Sequence, residues 1–133
     1  ALGLYSKLSF SCGIAGVHGK TSTTGLTGTI LKELPVMSQT LAGSVINSFG
    51  NSCTFTSDNI KGGKHNYFVA ETCEYQRHFM SFYPKKIILT SVEPDHQDYY
   101  PKYEDIRQAF VDYACLLPEN GDLIFCADDK GAV

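Results

Sequence analysis

The sequence predicts an α/β domain: a mostly parallel sheet flanked by helices, with one hairpin-like insertion. Three observations predict it. Short apolar runs alternate with segments of helical period, as strands buried on both faces alternate with the helices that cover them. One such run, Phe10 to Ala15, leads straight into the glycine-rich stretch GVHGKTSTT, Gly16 to Thr24, and then into a helical pattern. The 133 residues suit one domain, and 43% hydrophobic against 19% charged residues allows a packed core.

Taken in order, Phe10 to Ala15 is short, apolar and small, as a buried parallel strand requires. From Thr21 to Leu34 the residues Leu26, Ile30 and Leu34 recur every four positions, which places them on one helical face. Gly25 and Gly28 lower that helix's propensity but allow close approach to a sheet, and Pro35 stops it. A short strand is expected around Thr40 to Ile46, and two more at Cys53 to Thr56 and Tyr67 to Ala70. Between the last two, Ser57 to Asn66 carries Asp58, Asn59 and Gly62-Gly63, a hairpin-like turn. Lys86 to Val92 is the clearest strand. Tyr103 to Leu117 is helical, with Ile106, Phe110, Tyr113, Ala114 and Leu117 on one stripe and Glu104 and Asp105 in the first turn, where negative charge suits the helix dipole. Pro118 and Gly121 end it, and Asp122 to Cys126 reads as a further strand.

A formal charge of -3 argues against general affinity for nucleic acid. No apolar run approaches the roughly 20 residues that span a bilayer. The five cysteines, Cys12, Cys53, Cys73, Cys115 and Cys126, show no CxxC pair, and several sit inside apolar stretches, where they are read as small buried hydrophobes. Reduced thiols then point to the cytoplasm. The chain starts at Ala1 and stops at Val133 just after a strand and turn, so it is read as a piece of a longer protein.

The chemistry concentrates in Gly16 to Ser22. Gly16 and Gly19 let the backbone turn tightly, so that successive N–H groups face an anion. The helix beginning near Thr21 adds the positive end of its dipole. Lys20 brings a mobile cation to the β- and γ-phosphates, and the Thr21 hydroxyl can ligate the magnesium that bridges them. The strict phosphate-loop pattern wants a glycine at Ile14, so the motif departs from it at one position. The plain alternative is a strand–turn–helix junction with an exposed lysine, and the flanking strand and helix favour the phosphate reading.

Ligands of an open parallel sheet bind outside the carboxyl ends of its strands. Glu71 ends one predicted strand, and Asp95 and His96 follow another, so Glu71, His96 and the loop are expected on one edge. A carboxylate and a neutral imidazole there are candidate metal ligands. Taken alone, His96 reads rather as a capping or surface residue, and Glu71 reads equally either way. Glu74, Glu93 and Asp98 are read as solvated or as supporting groups, and His65 and His78 receive no role. No serine or cysteine has a base beside it in the pattern of a nucleophile.

Three segments together resemble the Mur ligase family of peptidoglycan synthesis: GVHGKTSTT, then FVAETCEYQRHF from Phe68 to Phe79, then ILTSVEPDHQDYY from Ile88 to Tyr100. They resemble that family's ATP loop, its magnesium-binding glutamate segment and the strand leading to its metal-binding histidine. The resemblance implies a partial central ATP-binding domain over residues 1–133, with the UDP-sugar-binding N-terminal domain and the C-terminal domain absent. It further implies ATP at Gly16, Val17, His18, Gly19, Lys20, Thr21 and Ser22, one magnesium at Thr21 and Glu71, and a second at His96. Lys20, Glu71 and His96 would be the catalytic set.

His18 resembles both the branch that joins L-alanine to UDP-N-acetylmuramate through an acyl phosphate and the muropeptide-recycling branch, and the short step from Glu71 to Lys86 is more similar to the first. A muropeptide-recycling ligase of the same family and a non-catalytic nucleotide switch are the alternatives. Val17, Cys73 and Ser91 depart from residues common in the family, and the change at Ser91 puts any polar contact from that site in doubt. By itself the chain is expected to bind phosphate weakly and to ligate nothing.

Overall fold

A computed structural model describes residues 1–55 and 66–133. Its elements are α1 (Leu2–Lys7), β1 (Phe10–Ala15), α2 (Lys20–Glu33), β2 (Met37–Ile46), β3 (Asn51–Phe55), β4 (Asn66–Glu71), a 3₁₀ segment (Tyr75–Ser81), β5 (Lys86–Leu89), α3 (Tyr103–Ala114) and β6 (Asp122–Phe125). The sheet has six strands in the order β3-β2-β4-β1-β5-β6. Among the described residues only β2 with β3 is antiparallel; every other neighbouring pair is parallel. The α/β reading therefore holds, and β1 lies where it was expected. The 3₁₀ segment and α1 had no signal strong enough to predict them.

Register assigns the two faces. Thr40 pairs with Val69 and Val69 with Cys12, whereas Ala70 pairs with Gly13. Side chains alternate along a strand, so these two sets point to opposite faces. On the first face α2 lies close: a Cβ at Gly28 would come within 2.8 Å of the Thr40 methyl and 2.6 Å of the Phe49 ring. On the second, Tyr113 of α3 covers Gly13 and stacks on Phe79, with ring centroids 4.4 Å apart. The core on that side joins Phe68, Ala70, Ile87 and Leu89 of the sheet to Ile106, Ala109 and Phe110 of α3.

The apolar stripe of α2 is a correction. Leu26, Ile30 and Leu34 are 64%, 53% and 46% exposed, and the buried face is instead Thr24, Gly25 and Gly28. Close helix–sheet packing selects the smallest residues for the inner face, so the aliphatic stripe is turned outward. The cysteines are a second correction: Cys53, Cys73, Cys115 and Cys126 are exposed, because they lie on an edge strand, in a loop after β4, at the end of α3 and just past the other edge strand. Cys12, within β1, is half-buried.

The hairpin expected at Ser57 to Asn66 falls on residues outside those described, apart from Asn66 itself, which opens β4. β3 and β4 flank β2 and are not paired with each other. The antiparallel hairpin is β2–β3, turned by residues 47–50 with Gly50 at φ 66 and its N–H donated to the Ile46 carbonyl at 3.0 Å. Lys86 to Val92 was read as one strand, but pairing stops at Leu89 because Thr90 and Ser91 turn onto the glycine-rich loop.

Two outcomes are expected. Gly13→Ala would place a Cβ 2.1 Å from the Tyr113 hydroxyl, and urea unfolding should show a loss of about 1–3 kcal/mol from overpacking. Burial pushes the Cys12 thiol up to about 11, only partly offset by Lys86. The thiolate is the nucleophile, so Cys12 should alkylate last of the five in the native chain, with a rate still climbing through pH 10; mass-resolved iodoacetamide labelling would check this.

Candidate functional site

The site is built on the carboxyl edge of the three central strands. β1 delivers the glycine-rich loop, β4 delivers Glu71, and the segment after β5 delivers Thr90 and Ser91. Two glycines in the left-handed region shape the loop, Gly16 at φ 131 and Gly19 at φ 81. A side chain at Gly16 would also strike its neighbours: a Cβ there would lie 2.1 Å from Thr90 Oγ1 and 2.8 Å from the Ser91 nitrogen.

The loop's amides divide into two groups. Val17 donates its N–H to the Ser91 carbonyl and His18 to Ser91 Oγ, each at 3.0 Å. Thr90 Oγ1 donates to the carbonyls of Ala15 and His18. These contacts clamp the first half of the loop against β5. Ser91, the position where the sequence left a polar contact in doubt, thus makes one through its side chain and one through its carbonyl. Gly19, Lys20, Thr21 and Ser22 donate their backbone N–H groups to no acceptor among the described residues, and Thr23 makes the first such bond, to the Gly19 carbonyl at 2.9 Å. Four free amides at the positive end of a 14-residue helix form an anion cradle. The loop residues 17–22 and Glu71 line a cavity of about 210 Å³ there.

Glu71 closes the cradle on one side. Its Oε2 accepts the Thr21 hydroxyl at 2.9 Å and the Gly43 N–H at 2.7 Å. A hydroxyl and a carboxylate converging beside an anion site are a hard oxygen donor set that fits a divalent cation of the magnesium type.

On the other side the structure narrows the sequence reading. Glu74, read from sequence as solvated or as a supporting group, is 1% exposed, which leaves the supporting role. Its two carboxylate oxygens receive Lys20 Nζ at 3.1 and 3.0 Å, and its Oε1 lies 3.3 Å from His96 Nε2. Lys20 also donates to the Gly16 carbonyl at 2.6 Å. Glu74 is fixed from behind, where the Tyr100 hydroxyl donates to its carbonyl at 2.6 Å. Burial of a carboxylate is tolerated only when it is paired, as here. Glu93 and Asp98, by contrast, remain at the exposed rim, the first 4.0 Å from the exposed His18 and the second accepting the Tyr75 hydroxyl at 2.8 Å.

Strained backbone gathers around this group. Gln76, Arg77 and His96 all have positive φ, at 50°, 57° and 50°. Such residues cost about 1–3 kcal/mol each and persist where surrounding bonds over-determine them. Arg77 is held by Asp112 of α3, and the guanidinium keeps that carboxyl below its usual range. His96 donates its N–H to Asp95 Oδ1 at 2.7 Å and its carbonyl accepts from Tyr99 and Tyr100 at 2.8 and 2.7 Å. One ligand atom each from Glu74, Asp95 and His96 fall within 4.8 Å of one another, so this corner also has the donors for a cation.

The structure therefore brings Thr21 directly to Glu71, and links Lys20 to His96 through Glu74. Glu74, Gly43, Thr90 and Ser91 were not singled out as site residues from sequence. Glu74 had a usable signal, being three residues beyond Glu71 on a segment leaving a strand end; Gly43 and the Thr90–Ser91 clamp had none, since register alone brings them in.

Residues 14–132 match the family model described as Mur ligase middle domain. The chain belongs to the Mur ligase family. Among its relatives, the UDP-N-acetylmuramate–L-alanine ligase of Treponema pallidum is 50% identical over 131 residues, 98% of this chain and 26% of that protein. The protein of the same name from Borreliella afzelii is 39% identical over 97% of the chain and 26% of its own length. The chain thus spans about a quarter of the curated relatives it matches. Two solved structures share its fold: the UDP-N-acetylmuramate:L-alanyl-gamma-D-glutamyl-meso-diaminopimelate ligase from Neisseria meningitides, with TM-score 0.79 and 23% identity over 97% of this chain and 44% of that one, and E. coli FolC in complex with DHPP and ADP, with TM-score 0.61 and 12% identity over 90% and 42%.

Because Gly16 combines a left-handed φ with a collision against backbone, Gly16→Ala should lower the melting midpoint by an amount equivalent to about 1–3 kcal/mol. It should also abolish the shift of the Gly19 and Ser22 amide resonances on adding tripolyphosphate with magnesium. Unchanged shifts in that variant would remove the cradle's dependence on this turn.

Proposed function

We propose that this chain is the nucleotide-binding segment of an ATP-dependent ligase that joins L-alanine to UDP-N-acetylmuramate in peptidoglycan synthesis. The observation that carries the reading is the meeting of Thr21 and Glu71 beside Lys20, in a chain half identical to a protein of that name. The solved recycling-type ligase is similar at 23% identity, which speaks for the fold alone. The UDP-sugar and the amino acid would be bound with regions found elsewhere in the longer relatives, and the whole would work in the cytoplasm.

In this reading the free amides of Gly19, Lys20, Thr21 and Ser22 hold the β- and γ-phosphates of ATP, and Lys20 stabilises charge on the transferred phosphoryl. Phosphoryl transfer depends on positioning and charge stabilisation more than on covalent help from the protein. The lactyl carboxylate of UDP-N-acetylmuramate attacks the γ-phosphorus and ADP leaves, forming an acyl phosphate. The amine of L-alanine then attacks the acyl carbon, phosphate departs, and the nitrogen loses its proton to give the amide. Magnesium held by Thr21 and Glu71, and a second ion at His96, would neutralise the phosphate oxygens. Glu71 keeps the Thr21 hydroxyl oriented, and the αL backbone of His96 fixes the direction from which its imidazole enters.

The test uses a protein that carries this chain together with the remaining regions of its relatives. Lys20→Ala should lower kcat/KM for amide formation by about a hundredfold or more. His96→Ala should abolish ligation while ATP binding, followed by calorimetry, persists. Wild-type turnover in His96→Ala would turn the assignment toward a nucleotide switch.

A further inference from the structure

Glu74 has no part in the scheme above, yet it is the most deeply buried carboxylate at the site and it occupies Lys20 on both of its oxygens. An ammonium has three N–H donors. Here four acceptors surround them, the Gly16 carbonyl at 2.6 Å, the Val17 carbonyl at 3.4 Å and the two Glu74 oxygens at 3.1 and 3.0 Å, so a phosphate oxygen must displace an existing partner, and Glu74 is the charged one. Among the described residues Lys20 is also the only lysine or arginine lining the cavity, and Glu71 lines it too. With Lys20 cancelled by Glu74, the charge left facing the cavity is that of Glu71, which repels a bare polyphosphate. A divalent cation at Thr21 and Glu71 reverses that sign.

We propose that Glu74 is a specificity-determining residue that makes the cradle accept metal-complexed nucleotide and reject the metal-free polyanion. It acts by holding the Lys20 ammonium in a buried pair that a phosphate can open only when a cation offsets the neighbouring carboxylate. The arrangement is enforced from both ends. Tyr100 anchors the Glu74 carbonyl, and the left-handed residues Gln76 and Arg77 turn the chain away immediately after it, so the carboxylate cannot follow Lys20 outward. Its second partner is His96, whose Nε2 lies 3.3 Å from Oε1. This inference rests on the nucleotide reading above.

The 133-residue chain is titrated with ATP and, separately, with tripolyphosphate, each in EDTA and in magnesium, following the Gly19 and Ser22 amide resonances. In wild type, saturable shifts should require magnesium. Glu74→Gln keeps the shape and removes the charge, and should tighten metal-free binding of both ligands at least tenfold. Lys20→Ala/Glu74→Gln should lose that gain, since the effect runs through Lys20. Should Glu74→Gln not fold, Glu74→Asp retains the charge with a shorter reach and should give a smaller gain, about threefold. Metal-free affinity unchanged in Glu74→Gln, or in Glu74→Asp where that variant replaces it, overturns the inference, as does a gain that survives in the double variant. A fall in magnesium-dependent affinity with no metal-free gain also overturns it and marks Glu74 as a cation ligand. Absence of binding by wild type in every condition overturns the nucleotide reading and this inference together, whereas magnesium-dependent binding with an unresponsive Glu74 leaves that reading standing.

Discussion

The site depends on β1 having a parallel partner on each side. Pairing with β4 on one edge and β5 on the other brings the ends of all three strands level, so the loop after β1 emerges between Glu71 and the Thr90–Ser91 segment. Ile14 is in register with both Glu71 and Ile88, which fixes how far each neighbour projects beyond the loop. A slip of one residue would turn Glu71 to the other face of the sheet, away from Thr21. The central strand must therefore be small and apolar, and Gly13 is needed because Tyr113 covers it closely from the α3 face.

From that register follows a division of labour within the loop. Its first half is spent on the sheet, through Val17 and His18 bonded to Ser91, and becomes rigid. Its second half is the start of α2 and keeps its amides free. Close packing of Gly25 and Gly28 against β2 sets the direction of that helix, and with it the direction of the free amides. The outward aliphatic stripe of α2 is the counterpart of this choice, because a helix that lies near a sheet on its small residues cannot also bury its large ones.

The charged corner follows a different logic. Lys20, Glu74 and His96 come from the first turn of α2, a 3₁₀ approach and a turn after β5, with no regular pairing between them. Positive-φ residues on two segments hold them together. Rigid strand ends thus carry the Thr21–Glu71 pair, while strained backbone carries the Lys20–Glu74–His96 chain. The first is set by the sheet; the second is held against local preference by tertiary contacts such as Arg77 to Asp112.

What the sequence determined by itself was whatever depends on local pattern. The strand–loop–helix at Phe10 to Glu33 was legible because glycines, lysine and threonine stand at phosphate-loop spacing between an apolar run and a helical period. The α/β class was legible because apolar runs and helical periods alternate. Glu71 and His96 were legible as candidates because both follow strands. The tertiary structure alone decided which face of α2 is buried, since helical period identifies a stripe but not whether a sheet will approach near enough to prefer glycine. It decided the exposure of four cysteines, which depends on edges and ends that the sequence does not mark. It also decided that Glu74 is buried and paired with Lys20, 54 residues away, because desolvation and ion pairing between distant segments leave no periodic trace in the chain.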